Sequence, residues 1–111
     1  MDDRIFELHA EVCKTLASPW RLKLIELLRH GERPLKELVE GTGLPVANVS
    51  QHLNLMKAAG VVEARREGSR SFYRLTNPKL LKAFDLMRDI LRDRLSETRE
   101  VERALARFDR R

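Results

Sequence analysis

The stretch Val46–Gly60, "VANVSQHLNLMKAAG", reads as a helix with two unlike edges. Val49, Leu53 and Met56 recur at i, i+4 and i+7, the spacing of one buried stripe on a helical period. Counting about 100° per residue places Ala47, Gln51 and Asn54 opposite that stripe, with Ser50 on its flank. A solvated helix face ordinarily carries Lys and Glu. This one carries short, uncharged side chains, most of which both donate and accept hydrogen bonds. Such an edge suits close approach to another polar surface, so the flanking segments decide its meaning.

Upstream, Ser18-Pro19 offers an N-cap with proline at the first helical position, and "WRLKLIELLRH" runs from there to Gly31. Leu22, Ile25 and Leu28, with Leu24 and Leu27 beside them, predict a broad buried face. Pro34 opens a short helix, "PLKELVE", that "GTG" stops; Leu44-Pro45 opens the quoted helix and Gly60 closes it. After Gly60 the period shortens. "VVEARRE" and "RSFYRLT" flank Gly68-Ser69, which predicts a β-hairpin with Arg65, Arg66 and Arg70 near its tip and Tyr73 in its core.

Asn77-Pro78 restarts a helix whose apolar residues, Leu80, Phe84, Met87, Leu91, Thr98, Val101, Leu105 and Phe108, are spaced by threes and fours, broken by Arg94. Continued to the end of the chain at about 1.5 Å per residue, it would span roughly 50 Å and outrun its own domain. The first helix carries two apolar stripes, Ile5-Leu8-Val12-Leu16 and Phe6-Ala10-Cys13-Ala17. Two faces call for two partners, the domain's own core and a second chain. The expected fold is mainly α with a small β-hairpin: four helices, two strands and a long C-terminal helix. A short helix, a tight glycine-bearing turn, a second helix and a basic hairpin make a winged helix-turn-helix. Residues 1–111 form one such domain in this reading, with 1–17 and 78–111 as dimerisation helices.

The chain has 111 residues and a net charge of +5. Residues 1–45 hold seven Lys/Arg against eight Asp/Glu, whereas residues 46–76 hold five against two and residues 77–111 ten against seven. The positive excess begins with the uncharged-edged helix, which favours a polyanionic partner. One cysteine, Cys13, rules out an intrachain disulfide and suits a reducing cytoplasm. No segment approaches the ~18 consecutive apolar residues of a membrane span, and the acidic start "MDDRIFELHAEV" is unlike a signal peptide. The expected location is cytoplasmic, with no membrane partner.

A major groove about 12 Å wide admits a helix only when the facing side chains are small. Gln and Asn pair bidentately with adenine, Ser serves bases or phosphates, and Ala or Val meets a thymine methyl. Long cations then move outward, where Lys57 and the hairpin arginines meet phosphates. The candidate contacts with double-stranded DNA are Val46, Ala47, Asn48, Ser50, Gln51, His52, Asn54 and Lys57 on the helix, and Arg65, Arg66, Ser69 and Arg70 on the wing. His52 lies between the two edges, so a structural hydrogen bond or a phosphate contact suits it better than base reading.

"LASPWRLKLIELL" (Leu16–Leu28), "VANVSQHLNLMKAAGVVEARREGSRSFYRL" (Val46–Leu75) and the spacing between them resemble the ArsR/SmtB family of bacterial transcriptional repressors. The central part particularly resembles members fused to a rhodanese domain, though no such domain is expected here. The resemblance implies a homodimer built from the first and last helices. It also implies a repressor that sits on a partly palindromic operator until a signal releases it, reading bases through Val46, Ala47, Ser50 and Gln51 with a wing at Arg65–Arg70.

Departures bear on the signal. Many relatives sense metals through Cys-x-Cys early in the third helix, where this chain has Pro34 and Lys36; others use His with Asp or Glu on the last helix, and no His follows His52. The expected metal set and cofactor are therefore none. His9 and Cys13, at i and i+4 on the first helix, remain a candidate sensor pair for a soft metal or persulfide, against the plainer reading of a buried interfacial cysteine. The inducer, a small molecule or a thiol-reactive agent, stays unidentified. Trp20 is read as core rather than as the cap of a ligand cavity.

The expected function is that of a homodimeric, sequence-specific repressor released by a non-metal signal. A sequence-tolerant architectural DNA-binding protein is the alternative, since phosphate contacts alone supply non-specific affinity; it would have no use for a small polar reading edge. A protein-interaction module on the same fold is a third reading. An enzyme is not expected: there is no phosphate-cradling glycine loop, and Cys13 lies in an apolar stripe without an evident base.

Overall fold

The computed structural model describes residues 2–95 and 99–109. Contacts divide the chain into two units, Met1–Pro78 and Lys79–Arg111. The first holds α1 (Arg4–Leu16), α2 (Pro19–Leu27), β1 (Arg33–Pro34), α3 (Leu35–Thr42), α4 (Val46–Ala58), β2 (Val62–Glu67) and β3 (Arg70–Leu75). The second holds α5 (Lys79–Leu95) and α6 (Arg99–Asp109).

Local chemistry sets the helix boundaries. Ser18 is extended, its Oγ accepts the Arg21 N–H at 3.4 Å, and Pro19 takes the first helical position of α2. The helix ends at Leu27, a turn before the expected Gly31, with the Leu28 N–H closing on the carbonyls of Leu24 and Ile25. Leu24, Ile25 and Leu28 are buried as expected, whereas Leu22 is 42% exposed, so the buried face is narrower than its spacing suggested.

Between α3 and α4 the Thr42 hydroxyl, in the core, donates to the Leu38 carbonyl at 2.9 Å and accepts from the Leu44 N–H at 3.3 Å. Gly43 follows at φ +74, a backbone that L side chains rarely adopt, and sends its N–H back to Val39. Polar groups in this tight turn are therefore satisfied internally. The stripe expected on α4 is complete: Val49, Leu53 and Met56 are each 0% exposed. Burial of such side chains stabilises by about 1.5–3 kcal/mol each. At its C-terminus the Val61 N–H reaches the Met56 carbonyl and the Gly60 N–H that of Lys57, the paired closure of a Schellman cap.

The sheet has three antiparallel strands in the order β1-β3-β2, one more than the hairpin read from sequence. Pro34 does not open α3; it lies before it in extended conformation and pairs with Phe72. A proline, lacking an N–H, fits a short edge strand of this kind. β2 and β3 pair from Val62↔Leu75 to Glu67↔Arg70 around the two-residue turn Gly68-Ser69. Gly68 is at φ +62 and Ser69 at negative φ, as in a type II′ hairpin. Tyr73 is buried in the hairpin core.

In the second unit, the single long helix expected from the spacing is two helices. The Arg88 guanidinium lies 3.9 Å from the Phe108 ring centroid, and Arg88 and Arg92 both bond the Asp109 carboxylate. The far end of α6 is thus returned beside the middle of α5, making a helical hairpin rather than a 17-residue helix prolonged to the chain end. Met87 and Leu91 of the expected seam are exposed, while Leu80, Phe84, Leu105 and Phe108 are half-buried. Thr98 and the Val101 side chain lie outside the described residues. Among the described residues, no helix is long and apolar enough to cross a membrane.

Candidate nucleic-acid interface

The polar edge of α4 is open. Val46, Ala47, Asn48, Gln51, Asn54 and Lys57 are exposed, and Ser50 is half-buried on the flank. Leu55 was not anticipated. It is 46% exposed and stands four residues beyond Gln51, so it continues the same edge with an apolar side chain. That spacing was available in the sequence. At the start of the helix Pro45 supplies no side-chain cap; its carbonyl accepts the Asn48 and Val49 N–H groups, and the positive end of the helix dipole lies beside exposed Val46 and Ala47.

His52 faces inward from the flank. Its Nδ1 accepts from Arg21 Nε at 3.1 Å, while Arg21 Nη1 donates to the Thr15 carbonyl at 2.8 Å. Burial first, and the Arg21 charge second, hold the imidazole below its ordinary 6.5. His52 is therefore neutral and structurally engaged, with its other nitrogen carrying the proton.

The wing arginines differ from one another. Directly paired residues share a face of a sheet, so Glu63, Arg65, Glu67, Arg70, Phe72 and Arg74 lie on one side. Val62, Ala64, Arg66, Ser71, Tyr73 and Leu75 lie on the other, which the buried Val62 and Tyr73 mark as the core side. Arg66 is exposed at the tip of that side, with no hydrogen bond or ion pair among the described residues. Arg70 stands 5.1 Å from the Phe72 ring centroid. Arg65 reaches across the same ring, at 4.5 Å, to Glu32, and its other branch holds Glu67 at 2.8 Å. These two carboxylates, Glu32 first, raise the Arg65 pKa, and the Arg65 bond draws Glu32 below its ordinary value.

An open groove of about 540 Å³ joins the helix start to the wing, lined by Lys36, Val39 and Glu40 of α3, Val46 of α4, and Ser69 and Arg70. Lys36 and Arg70 bring cations to this groove and Glu40 a carboxylate, and Val46 joins it to the polar edge of α4.

Away from this surface, His9 and Cys13 are both exposed on α1, so within one chain the cysteine is not buried. Among the described residues, no three His, Cys, Asp or Glu side chains gather as a metal site. Trp20 corrects its expected place in the core: it is 40% exposed, with Lys23 Nζ 5.8 Å from the ring centroid. As the second residue of α2, it lies in the first turn of that helix.

Comparison with known proteins adds the family. Residues 18–64 match the family described as "bacterial regulatory protein, arsR family". The helix-turn-helix-type transcriptional regulator Rv0081 of Mycobacterium tuberculosis is 37% identical over 94 residues, covering 84% of this chain and 82% of its own. The Rv0081 crystal structure superposes with a TM-score of 0.77 at 36% identity, over 86% of this chain and 97% of that one. A solution structure from Mycobacterium bovis, described as the homodimeric winged helix-turn-helix DNA-binding domain of Mb0332, gives 0.77 at 32% identity, over 87% and 92% of the two chains. Rv0324 of M. tuberculosis is 35% identical over 88 residues, 79% of this chain, which spans only 39% of that regulator's length. With its winged helix-turn-helix fold, this chain belongs to the ArsR family of bacterial regulatory proteins, a family of transcriptional regulators and not of enzymes.

Proposed function

We propose that the protein is a homodimeric, sequence-specific DNA-binding repressor that a non-metal signal releases from its operator. The observation that carries this reading is the exposed, uncharged edge of α4 set against a fully buried stripe on the same helix. Val46, Ala47, Asn48, Ser50, Gln51 and Asn54 face base edges, while Lys57, Arg66, Ser69 and Arg70 face phosphates. The groove beside Val46 and Arg70 takes the sugar-phosphate strand between them.

Homodimerisation accounts for the apolar surface left open on one chain: Ile5, Phe6 and Leu8 on α1, and Leu86, Met87 and Ile90 on α5, are all more than half exposed. A two-fold dimer presents its two α4 helices about 34 Å apart, one turn of DNA. Release by a non-metal signal rests on Pro34 and Lys36, which stand where metal-sensing relatives carry thiolates.

The experiment is a titration of DNA from upstream of its own coding sequence against shuffled DNA of equal length at physiological salt. Tighter binding to the native sequence supports the repressor. Equal affinities would instead favour a sequence-tolerant architectural protein.

A further inference from the structure

The outer face of the sheet carries Arg65, Arg70 and Arg74 together with Glu63 and Glu67, and Glu32 reaches the same face from just before β1. Arg74 is engaged by Glu63 at 2.6 Å. Arg65 is the most heavily engaged of the set. Its Nε lies 2.9 Å from both Glu32 oxygens, Nη2 is 2.7 Å from Glu32 Oε1, and Nη1 is 2.8 Å from Glu67 Oε2. To make these bonds the side chain leaves β2 and crosses β3 over the Phe72 ring. A bidentate carboxylate presents to a guanidinium the same two-oxygen fork that a phosphate does. The bonds lie at the surface, where each is weak enough to exchange.

We propose that Glu32, with Glu67, competes with DNA phosphate for Arg65, so that Arg65 positions the wing and Glu32 limits DNA affinity. This inference rests on the DNA-binding reading above and refines its wing. Arg65 then adds nothing to counterion release in the wild-type chain, whereas the unpaired Arg66 does. Removing the Glu32 charge hands Arg65 to the phosphates, and the tightening requires Arg65 to be present.

The test is a salt titration of the full chain and of Arg65→Ala, Arg66→Ala, Glu32→Gln and the Glu32→Gln/Arg65→Ala double variant. Each is measured on duplex DNA from upstream of its own coding sequence, with circular dichroism confirming folding. Each phosphate contact contributes about 0.9 to the slope of log K against log salt. Expected are an unchanged slope for Arg65→Ala and a shallower one, by about one contact, for Arg66→Ala. Glu32→Gln should steepen the slope by about one contact and tighten binding about two- to fivefold, and the double variant should show neither gain. The proposal is overturned by an unchanged slope in Glu32→Gln, or by tightening that persists without Arg65. Since Glu32→Gln leaves Arg65 intact, misfolding of Arg65→Ala would not remove that test. No binding by the wild-type chain to any duplex would overturn this inference together with the DNA-binding reading; binding with an unresponsive Glu32→Gln overturns this inference alone.

Discussion

Arg21 Nε donates to His52 Nδ1 across 3.1 Å, joining α2 to the flank of α4. The same guanidinium holds the last turn of α1 through the Thr15 carbonyl at 2.8 Å. One half-buried side chain thus ties three helices at the side of the candidate reading edge.

Arg21→Ala is expected to lower stability by about 1–3 kcal/mol, because it strands an acceptor on His52 and a carbonyl on Thr15. His52→Asn, which keeps an acceptor near the Nδ1 position, should lose less than His52→Leu. Urea midpoints of the three variants check this. A wild-type midpoint for Arg21→Ala would show the bond to be idle.

The same contact predicts a pH dependence. A protonated imidazole cannot accept from Arg21, and the folded chain holds His52 below 6.5. Between its folded and unfolded pKa values the unfolded chain binds more protons, so this contribution is fully present above the unfolded value and diminishes as pH falls through it. Wild-type protein should lose more stability between pH 7.5 and pH 5.5 than His52→Asn does. Equal losses in paired urea titrations would remove His52 as the cause.

On DNA, Gln51→Ala and Arg66→Ala should fail differently. Loss of Gln51 relaxes base preference at a cost of about 1–3 kcal/mol on the preferred sequence, whereas loss of Arg66 weakens all sequences alike and flattens the salt slope. Competition titrations with point-substituted duplexes separate the two. Uniform weakening by both would mean that α4 does not read bases.

The open apolar surface of α1 predicts association. Ile5 and Leu8 are 64% and 68% exposed, so Ile5→Glu/Leu8→Glu should leave the chain folded by circular dichroism and shift it toward monomer. Sedimentation equilibrium at micromolar concentration reads this directly. An unchanged mass distribution would place any dimer contact elsewhere.

The features legible in the sequence were those written in short spacings. The stripe of Val49, Leu53 and Met56, the Ser18-Pro19 start and the Gly68-Ser69 hairpin each depend on residues within a turn or two of one another. Longer-range pairings left no such mark. β1 is two residues long, too short to alternate, and exists because Pro34 and Arg33 meet Phe72 and Tyr73. The return of α6 onto α5 rests on Asp109, 17 and 21 residues from its arginine partners. The charge count for residues 46–76 treated Arg65 as a free cation, although a carboxylate 33 residues earlier in the chain already holds it. Trp20 and Leu22 are themselves apolar yet face outward from α2, a choice made by packing and not by composition.

The opposition of Val49, Leu53 and Met56 to Ala47, Gln51 and Asn54 on one short cylinder separates two kinds of inheritance. Codons on the inner side answer to melting temperature, and under the proposed function codons on the outer side answer to which duplex is bound. On that proposal, a lineage carrying this helix exchanges one target sequence for another through a few outward substitutions, with no repair needed in the scaffold beneath.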